Sequence, residues 1–166
     1  MNSIFTRRSI RKYQERPVEE EKIRLLLGAA MAAPTAVNQR EWEFVVVTDK
    51  AILGRLSEAS PYTKPAGRAP LAIVPVGDSH RLKSPGYFQQ DLAAATENIL
   101  LEAEELGLGA VWMGIAPVEE RMDTVSRILE LPEHIQPFSI IAIGYPDETR
   151  PEEDRYEEDR VHYNKY

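Results

Sequence analysis

Apolar residues recur at helical spacing in three parts of the chain. The first helix is predicted to start after Pro17, where Glu19–Glu21 place negative charge at the positive end of the helix dipole, and to end before Pro34. The second, predicted over Gln89–Leu106, carries one apolar face and is followed by Gly107, a residue typical of a helix C-terminus. A third amphipathic helix is predicted over Val118–Leu129.

Short runs rich in β-branched and aromatic residues predict four strands, at Trp42–Thr48, Leu71–Gly77, Ala110–Ile115 and Ser139–Tyr145. Pro75 lacks an N–H and so indicates an edge position or a bulge. Asp49 is suited to cap a short helix after the first strand. Helices and strands without a regular βαβ alternation predict one α+β domain over residues 1–166.

The segment after Pro146 is polar and acidic but retains apolar anchors: Tyr156, Val161, His162, Tyr163 and Tyr166. A solvated tail does not need so many such side chains. We therefore interpret residues 147–166 as an arm that packs on a second subunit, which predicts a homodimer.

The composition narrows the functional classes. The chain has no cysteine, which excludes disulfides, thiolate metal sites and cysteine nucleophiles. No run approaches the ~20 apolar residues that span a bilayer, and the N-terminus lacks the features of a secretory signal, so no membrane association and a soluble, cytoplasmic protein are expected. The net charge of −7 makes a nucleic-acid partner unfavourable, although the first sixteen residues are basic and suit a small anion.

Four segments are candidates for binding. Arg7, Arg8, Ser9 and Arg11 combine guanidinium and hydroxyl donors that suit a phosphate, although a solvated basic terminus explains the same pattern. Asn38 and Gln39 join a helix to a strand and either read a heterocycle edge or form a turn. The glycines of Gly107–Gly114 either allow close approach to a flat ligand or end a helix before a strand. Arg155 lies in an acidic tail, where it either balances charge or completes an anion site.

Several motifs are absent from the sequence. His80, His134 and His162 show no metal-ligand spacing, so no metal site is predicted. The sequence has no GxSxG, HExxH or phosphate-binding glycine loop, which leaves hydrolase and kinase functions without support.

Taken in order, the segments RRSIRKY, PTAVNQREW, QDLAAATENILLEAEELGLGAVWMG and IAIGYP, followed by a tail arginine, resemble the nitroreductase family over nearly the whole chain. The resemblance implies a nitroreductase-like fold with a central, mostly antiparallel sheet flanked by helices. It also implies an intertwined homodimer with exchanged C-terminal arms and FMN at the subunit interface. The implied activity is two-electron transfer from NADH or NADPH to an organic acceptor such as a nitroaromatic or quinone, with ping-pong kinetics.

The resemblance also implies roles for individual residues. Arg7, Ser9 and Arg8 would hold the FMN phosphate and ribityl end, and Arg11 would place a cation near the N1 and C2 carbonyl side of the ring. No residue is an obligatory catalyst. The remaining implied contacts are Asn38 and Gln39 at the ring edge or ribityl chain, Trp112, Met113 and Gly114 along the ring, and Arg155 closing on the phosphate.

The sequence departs from the family pattern at Arg40-Glu41, where relatives usually carry Gln-Pro before the tryptophan. The alternatives to a reductase are a flavin carrier or sensor without efficient turnover, another flavin reaction such as reductive dehalogenation, and an interaction module without a cofactor.

Overall fold

A computed structural model describes residues 2–166. Its longest helices are α2 (Glu20–Met31), α4 (Phe88–Glu105) and α5 (Glu119–Leu129), which confirm the three predicted helices to within a few residues. The shorter α1 (Ser3–Thr6) was not predicted. The short helix α3 (Lys50–Leu56) was predicted, and Asp49 caps it by accepting hydrogen bonds of 2.9 Å from the backbone N–H groups of Ala51 and Ile52.

The strands are β1 (Trp42–Val47), β2 (Leu71–Asp78), β3 (Gly109–Gly114), β4 (Ile135–Pro137) and β5 (Ser139–Gly144). They form an antiparallel sheet in the order β1-β2-β5-β3, and β4 also pairs with β2. The predicted α+β fold with an antiparallel sheet is therefore confirmed. The short strand β4 was not predicted.

The inference that Pro75 marks an edge strand is wrong, because β2 is paired on both sides. Its partner changes from β5 to β4 close to Pro75, and Phe138 lies between those two strands. The Pro75 carbonyl accepts a hydrogen bond of 3.0 Å from Phe138 N, so the position without an N–H faces the break between β4 and β5. A central strand tolerates proline here because the ladder is already interrupted.

Both faces of the sheet are covered. One face packs on α2 and α4, with Leu26, Ile73, Ile99 and Ile141 fully buried. The other face packs on α3 and α5 through a separate set of buried side chains, including Leu56, Val74, Val125 and Ile140. Alternating side chains of β5 therefore serve two cores, which explains the continuous apolar run in its sequence.

Two other features follow from the described residues. Among these residues, none of the helices combines the length and apolar character needed to cross a bilayer. From Pro151 to the C-terminus every residue is exposed in the single chain, including Tyr156 and Tyr163 with 70% and 83% of their surface accessible.

Candidate functional site

The N-terminal basic segment, residues 7–11, is fixed against the edge strand β3. Ser9 forms a bridge to Ala110, and Ile10 N donates a hydrogen bond of 3.0 Å to the Ala110 carbonyl. The segment also contacts helix α4, where Arg7 Nε lies 3.5 Å from Glu97 Oε1. The backbone therefore holds the segment while its guanidinium groups remain on or near the surface.

Gly109 makes this close contact between the segment and β3 possible. A Cβ atom at this position would lie 2.6 Å from Cγ2 and 2.7 Å from Cβ of Ile10, and a side chain branched at Cβ cannot rotate away.

Gly109→Ala is therefore expected to destabilise the protein by about 1–3 kcal/mol, the usual cost of overpacking. Urea denaturation measures this change. Gly54→Ala is the matched control, since a Cβ at Gly54 meets nothing within 4 Å and alanine favours the helix α3. Equal stability of the two variants would show that the basic segment can move away from β3 to accommodate the methyl group without a loss of unfolding free energy.

The beginning of the C-terminal arm runs along the basic segment. Glu148 Oε1 accepts hydrogen bonds from the backbone N–H groups of Arg11 (2.6 Å) and Lys12 (3.2 Å). Arg8 Nε donates to the Pro151 carbonyl at 2.8 Å, whereas its Nη2 is buried without a hydrogen-bond partner among residues 2–166. The sequence separates these groups by about 140 positions, and the fold brings them together.

Arg155, the tail arginine, forms its hydrogen bonds with the carboxylate of Glu153 on the same arm. It donates from Nη2 to Glu153 Oε2 at 2.6 Å, and this hydrogen bond, with a smaller contribution from the charge of Arg8, lowers the pKa of Glu153. Both Arg155 and Glu153 are exposed. Within one chain, therefore, the tail arginine pairs with its own arm rather than with residues 7–11.

The loop between α2 and β1 carries the two candidate amides in an unusual conformation. Val37, Asn38 and Arg40 have φ angles of 47°, 52° and 48°, in the left-handed region that residues with a Cβ seldom adopt. The Asn38 side chain is exposed, and its Oδ1 accepts a hydrogen bond of 2.8 Å from Arg40 Nε.

Gln39, in contrast, points inward and is 6% exposed. Its Nε2 donates to Asp91 Oδ2 (2.8 Å) and Glu41 Oε1 (3.0 Å), and its Oε1 accepts from the backbone N–H groups of Lys83 and Ser84 (3.0 Å each). All four hydrogen-bonding positions of a carboxamide are therefore used inside the chain. In this arrangement Asn38, not Gln39, is the amide available to a ligand.

Strand β3 carries the three residues predicted to line a flat ring, but their side chains do not face one surface. Trp112 packs on the α4 side of the sheet, 5.7 Å from the Phe138 ring. Met113 is 4% exposed and lies in the opposite core with Ile140. Within one chain these two side chains do not form one apolar surface, because successive residues of a strand point to opposite faces. Gly114 is exposed, with open space where a Cβ would stand.

Helix α4 connects the two candidate regions. Asp91 in its first turn binds the amide loop, and Glu97, six residues later and about 9 Å along the axis, lies beside Arg7. Two cavities, of about 780 and 380 Å³, lie elsewhere, and none of the ten candidate binding residues lines either of them. In the single chain Arg11, Asn38, Gly114 and Arg155 are exposed, so this part of the candidate region is an open surface.

A family model described as the nitroreductase family matches residues 4–80 and 61–145, from the basic segment to the last strand. The chain belongs to the nitroreductase family.

Individual relatives agree with this assignment. A protein of Methanothermobacter thermautotrophicus, provisionally named an NADH dehydrogenase/NAD(P)H nitroreductase, is 46% identical over all of this chain and 87% of its own length. The structure of an FMN-dependent nitroreductase from Clostridium difficile R20291 superposes with a TM-score of 0.93 at 33% identity and covers 99% of each chain. A nitroreductase, so named provisionally, from Desulfovibrio desulfuricans in complex with FMN gives a TM-score of 0.84 at 27% identity, over 99% of this chain and 95% of the other.

The departure from the nitroreductase pattern at residues 40–41 has a visible structural result. Glu41, the second of these two residues, is fully buried beneath the amide loop beside Asp91. Sequence reasoning missed this pair, since nothing in the pattern around Glu41 indicates that its side chain turns inward.

The fold also brings together two histidines that the sequence separates. Asp78, His80 and His134 have possible ligand atoms within 4.8 Å of one another, because the end of β2 pairs with the start of β4. The imidazole rings, however, are stacked at 4.3 Å with only 7° between their planes. Their in-plane lone pairs therefore do not converge on one point, and Arg81 Nε already lies 3.3 Å from Asp78 Oδ2. We assign no ion to this cluster.

Proposed function

We propose that this chain is an FMN-dependent oxidoreductase that passes two electrons from NADH or NADPH to an organic acceptor such as a nitroaromatic or a quinone. The observation that carries the proposal is the cation cluster of residues 7–11, held against β3 in a member of the nitroreductase family. The named FMN-dependent and FMN-bound structural neighbours support the choice of cofactor.

The chemistry of the donor set fits FMN. Three guanidinium groups and a hydroxyl within five residues suit a phosphate, because arginine binds it through paired, charge-assisted hydrogen bonds. The Nη2 atom of Arg8 is buried and has no hydrogen-bond partner within the described chain. A phosphate oxygen would satisfy this donor. The open space above Gly114 allows a flat ring to approach the backbone.

Each group then has a defined task. Arg7 and Ser9, assisted by Arg8, hold the phosphate and ribityl end, and Arg155 closes on the phosphate once the arm is placed on a partner. Asn38 supplies its amide to the ring edge or ribityl chain. Backbone groups of residues 112–114 lie along the ring, and Trp112 limits the access of water.

FMN, when bound, supplies the two-electron chemistry, so the protein binds, orients and tunes it. The task of Arg11 is to hold positive charge near the N1 and C2 carbonyl side, where reduction leaves negative charge. Donor and acceptor would use the same open face in turn, which gives ping-pong kinetics.

Arg11→Ala is expected to slow reduction by NAD(P)H by about 10-fold or more while FMN remains partly bound, because a charge-assisted contact worth roughly 1.5–3 kcal/mol is lost. Anaerobic stopped-flow absorbance measures the rate. Arg11→Lys, which keeps the charge, should recover much of it. Reduction at the wild-type rate in the alanine variant would show that Arg11 does not assist reduction of the flavin.

The exposed arm and the open candidate surface both support a homodimer in which each arm packs on the other subunit. The arm, residues 147–166, carries apolar side chains that have no cover in a single chain. A second subunit would cover these side chains and enclose the open surface around the cations.

The direct test is an anaerobic absorbance spectrum of the FMN-loaded protein before and after addition of NADH or NADPH. Rapid bleaching of the flavin band supports the reductase. A bound flavin that stays oxidised favours a carrier or sensor instead, and failure to bind FMN would overturn the proposal.

A further inference from the structure

Two acidic side chains lie side by side beneath the amide loop. Glu41 is fully buried and Asp91 is 5% exposed. Both accept from the same Nε2 of Gln39, at 3.0 Å for Glu41 and 2.8 Å for Asp91. Two ionised carboxylates in such a position repel each other, and burial removes the water that would screen them.

Among residues 2–166 no ion pair links Glu41 or Asp91 to a cation. The guanidinium groups of the neighbouring Arg40 and Arg81 are engaged elsewhere, since Arg40 bonds Asn38 and Arg81 lies between Asp78 and Glu43. Burial accordingly raises the pKa of Glu41, and the neighbouring Asp91 carboxyl raises it further. Glu41 Oε2 is buried without a hydrogen-bond partner within residues 2–166, which leaves an atom free to carry a proton.

The pair also determines the position of the loop above it. Both Asp91 oxygens lie 3.0 Å from the backbone N of Ala36. Ala36 directly precedes Val37, the first of the three loop residues whose φ angles are in the left-handed region. A strained loop keeps its conformation only where its surroundings hold it. Here the contacts from Asp91 to Ala36 and, through Gln39, to Glu41 are part of that restraint, beside the hydrogen bonds from Lys83 and Ser84 to Gln39 and from Arg40 to Thr35.

We infer that Glu41 keeps a proton, which it shares with the neighbouring Asp91 carboxyl through a hydrogen bond, and that both act as positioning residues, holding the loop so that Asn38 presents its amide to FMN. The inference rests on the proposed function for its effect on the cofactor. With the proton on Glu41 the repulsion between the two carboxyl groups is removed. Glu41 thus provides the loop with a titratable anchor.

Loss of this proton at alkaline pH is expected to place two negative charges in the buried site and release the loop. The native state binds the proton more tightly than the unfolded chain, because the pKa of Glu41 is raised on folding. The stability contributed by Glu41 is therefore complete below its ordinary pKa and declines as the pH rises towards the native value. Asn38 should then contact FMN less well at high pH.

Glu41→Gln is the sharpest test, because an amide keeps the shape, a donor for Asp91 and an acceptor for Gln39, but does not titrate. We expect the dissociation constant of the wild type for FMN to rise about 10-fold from neutral to alkaline pH, because the raised pKa of Glu41 moves its titration upward, while that of Glu41→Gln stays level. Quenching of FMN fluorescence measures both. Glu105→Gln, an exposed change at the far end of α4, should behave as the wild type.

Two further results separate this inference from the proposed function. In the protein without FMN, the unfolding free energy of the wild type relative to Glu41→Gln should decline as the pH rises, whether or not FMN binds. Parallel pH curves for the two proteins would overturn the shared proton. Unchanged FMN affinity in Glu41→Ala would overturn the positioning role, whereas absence of FMN binding by the wild type at every pH would instead overturn the proposed function.

Discussion

Removing residues 151–166 is expected to raise the dissociation constant of the proposed dimer at least about 1,000-fold and to abolish stable FMN binding. Tyr156, Val161 and Tyr163 are exposed in the single chain, with accessible fractions of 70%, 40% and 83%. Burial of an apolar side chain contributes about 1.5–3 kcal/mol, so three of them exceed the roughly 4 kcal/mol that corresponds to 1,000-fold. Without the second subunit, the surface around residues 7–11 stays open to water.

Sedimentation velocity at several protein concentrations measures the dimer, and fluorescence quenching measures FMN. The full-length double variant Tyr156→Ser/Tyr163→Ser should reproduce most of the defect, because it removes apolar contacts while keeping the chain length. Glu152→Gln/Glu158→Gln, a double change on the same arm, serves as its control. A truncated protein that remains dimeric would show that the arm is not part of the interface.

Arg7→Ala is expected to weaken FMN binding by about 10- to 100-fold, since it removes the contact proposed between Arg7 and the phosphate, and a charge-assisted contact is worth roughly 1.5–3 kcal/mol. Riboflavin, which lacks the phosphate, provides the informative comparison. Its affinity should change little in the same variant, because the lost contact is to the phosphate and not to the ring.

Arg127→Ala is the matched control for this prediction. Arg127 is an exposed arginine, whereas Arg7 is half-buried, and it lies on α5 and bonds only within that helix among the described residues. Its removal should leave FMN affinity unchanged. If Arg7→Ala weakened FMN and riboflavin equally, the effect would be a general disturbance of the segment rather than loss of a phosphate contact.

Local patterns in the sequence predicted the helices and most strands because they depend on neighbouring residues. The helix predicted over Gln89–Leu106 lies within a residue of α4, and Gly107 ends it with a φ of 69°, as a glycine after a helix often does. The three-residue strand β4 was missed, since so short a strand is defined by its pairing with β2 rather than by its own pattern. The edge position expected for Pro75 was wrong for the same reason, because a central strand accepts a proline here only where its partner strands are interrupted.

The candidate site shows the same division at the level of single residues. The order of motifs gave the family and the ten candidate residues, and the basic segment does lie against β3. Which amide remains free depends on contacts with Asp91 and Glu41, up to 52 residues from Gln39, and no local pattern contains that information.

By itself, the sequence determined the fold class, the main elements and the membership of the nitroreductase family, because propensity, periodicity and motif order are properties of the chain. Only the tertiary structure decided that Gln39 and Met113 turn inward, that the arm runs beside Arg8, and that Glu41 meets Asp91. Side-chain direction, burial and the energy of a charge depend on groups distant in sequence, and folding alone brings those groups together.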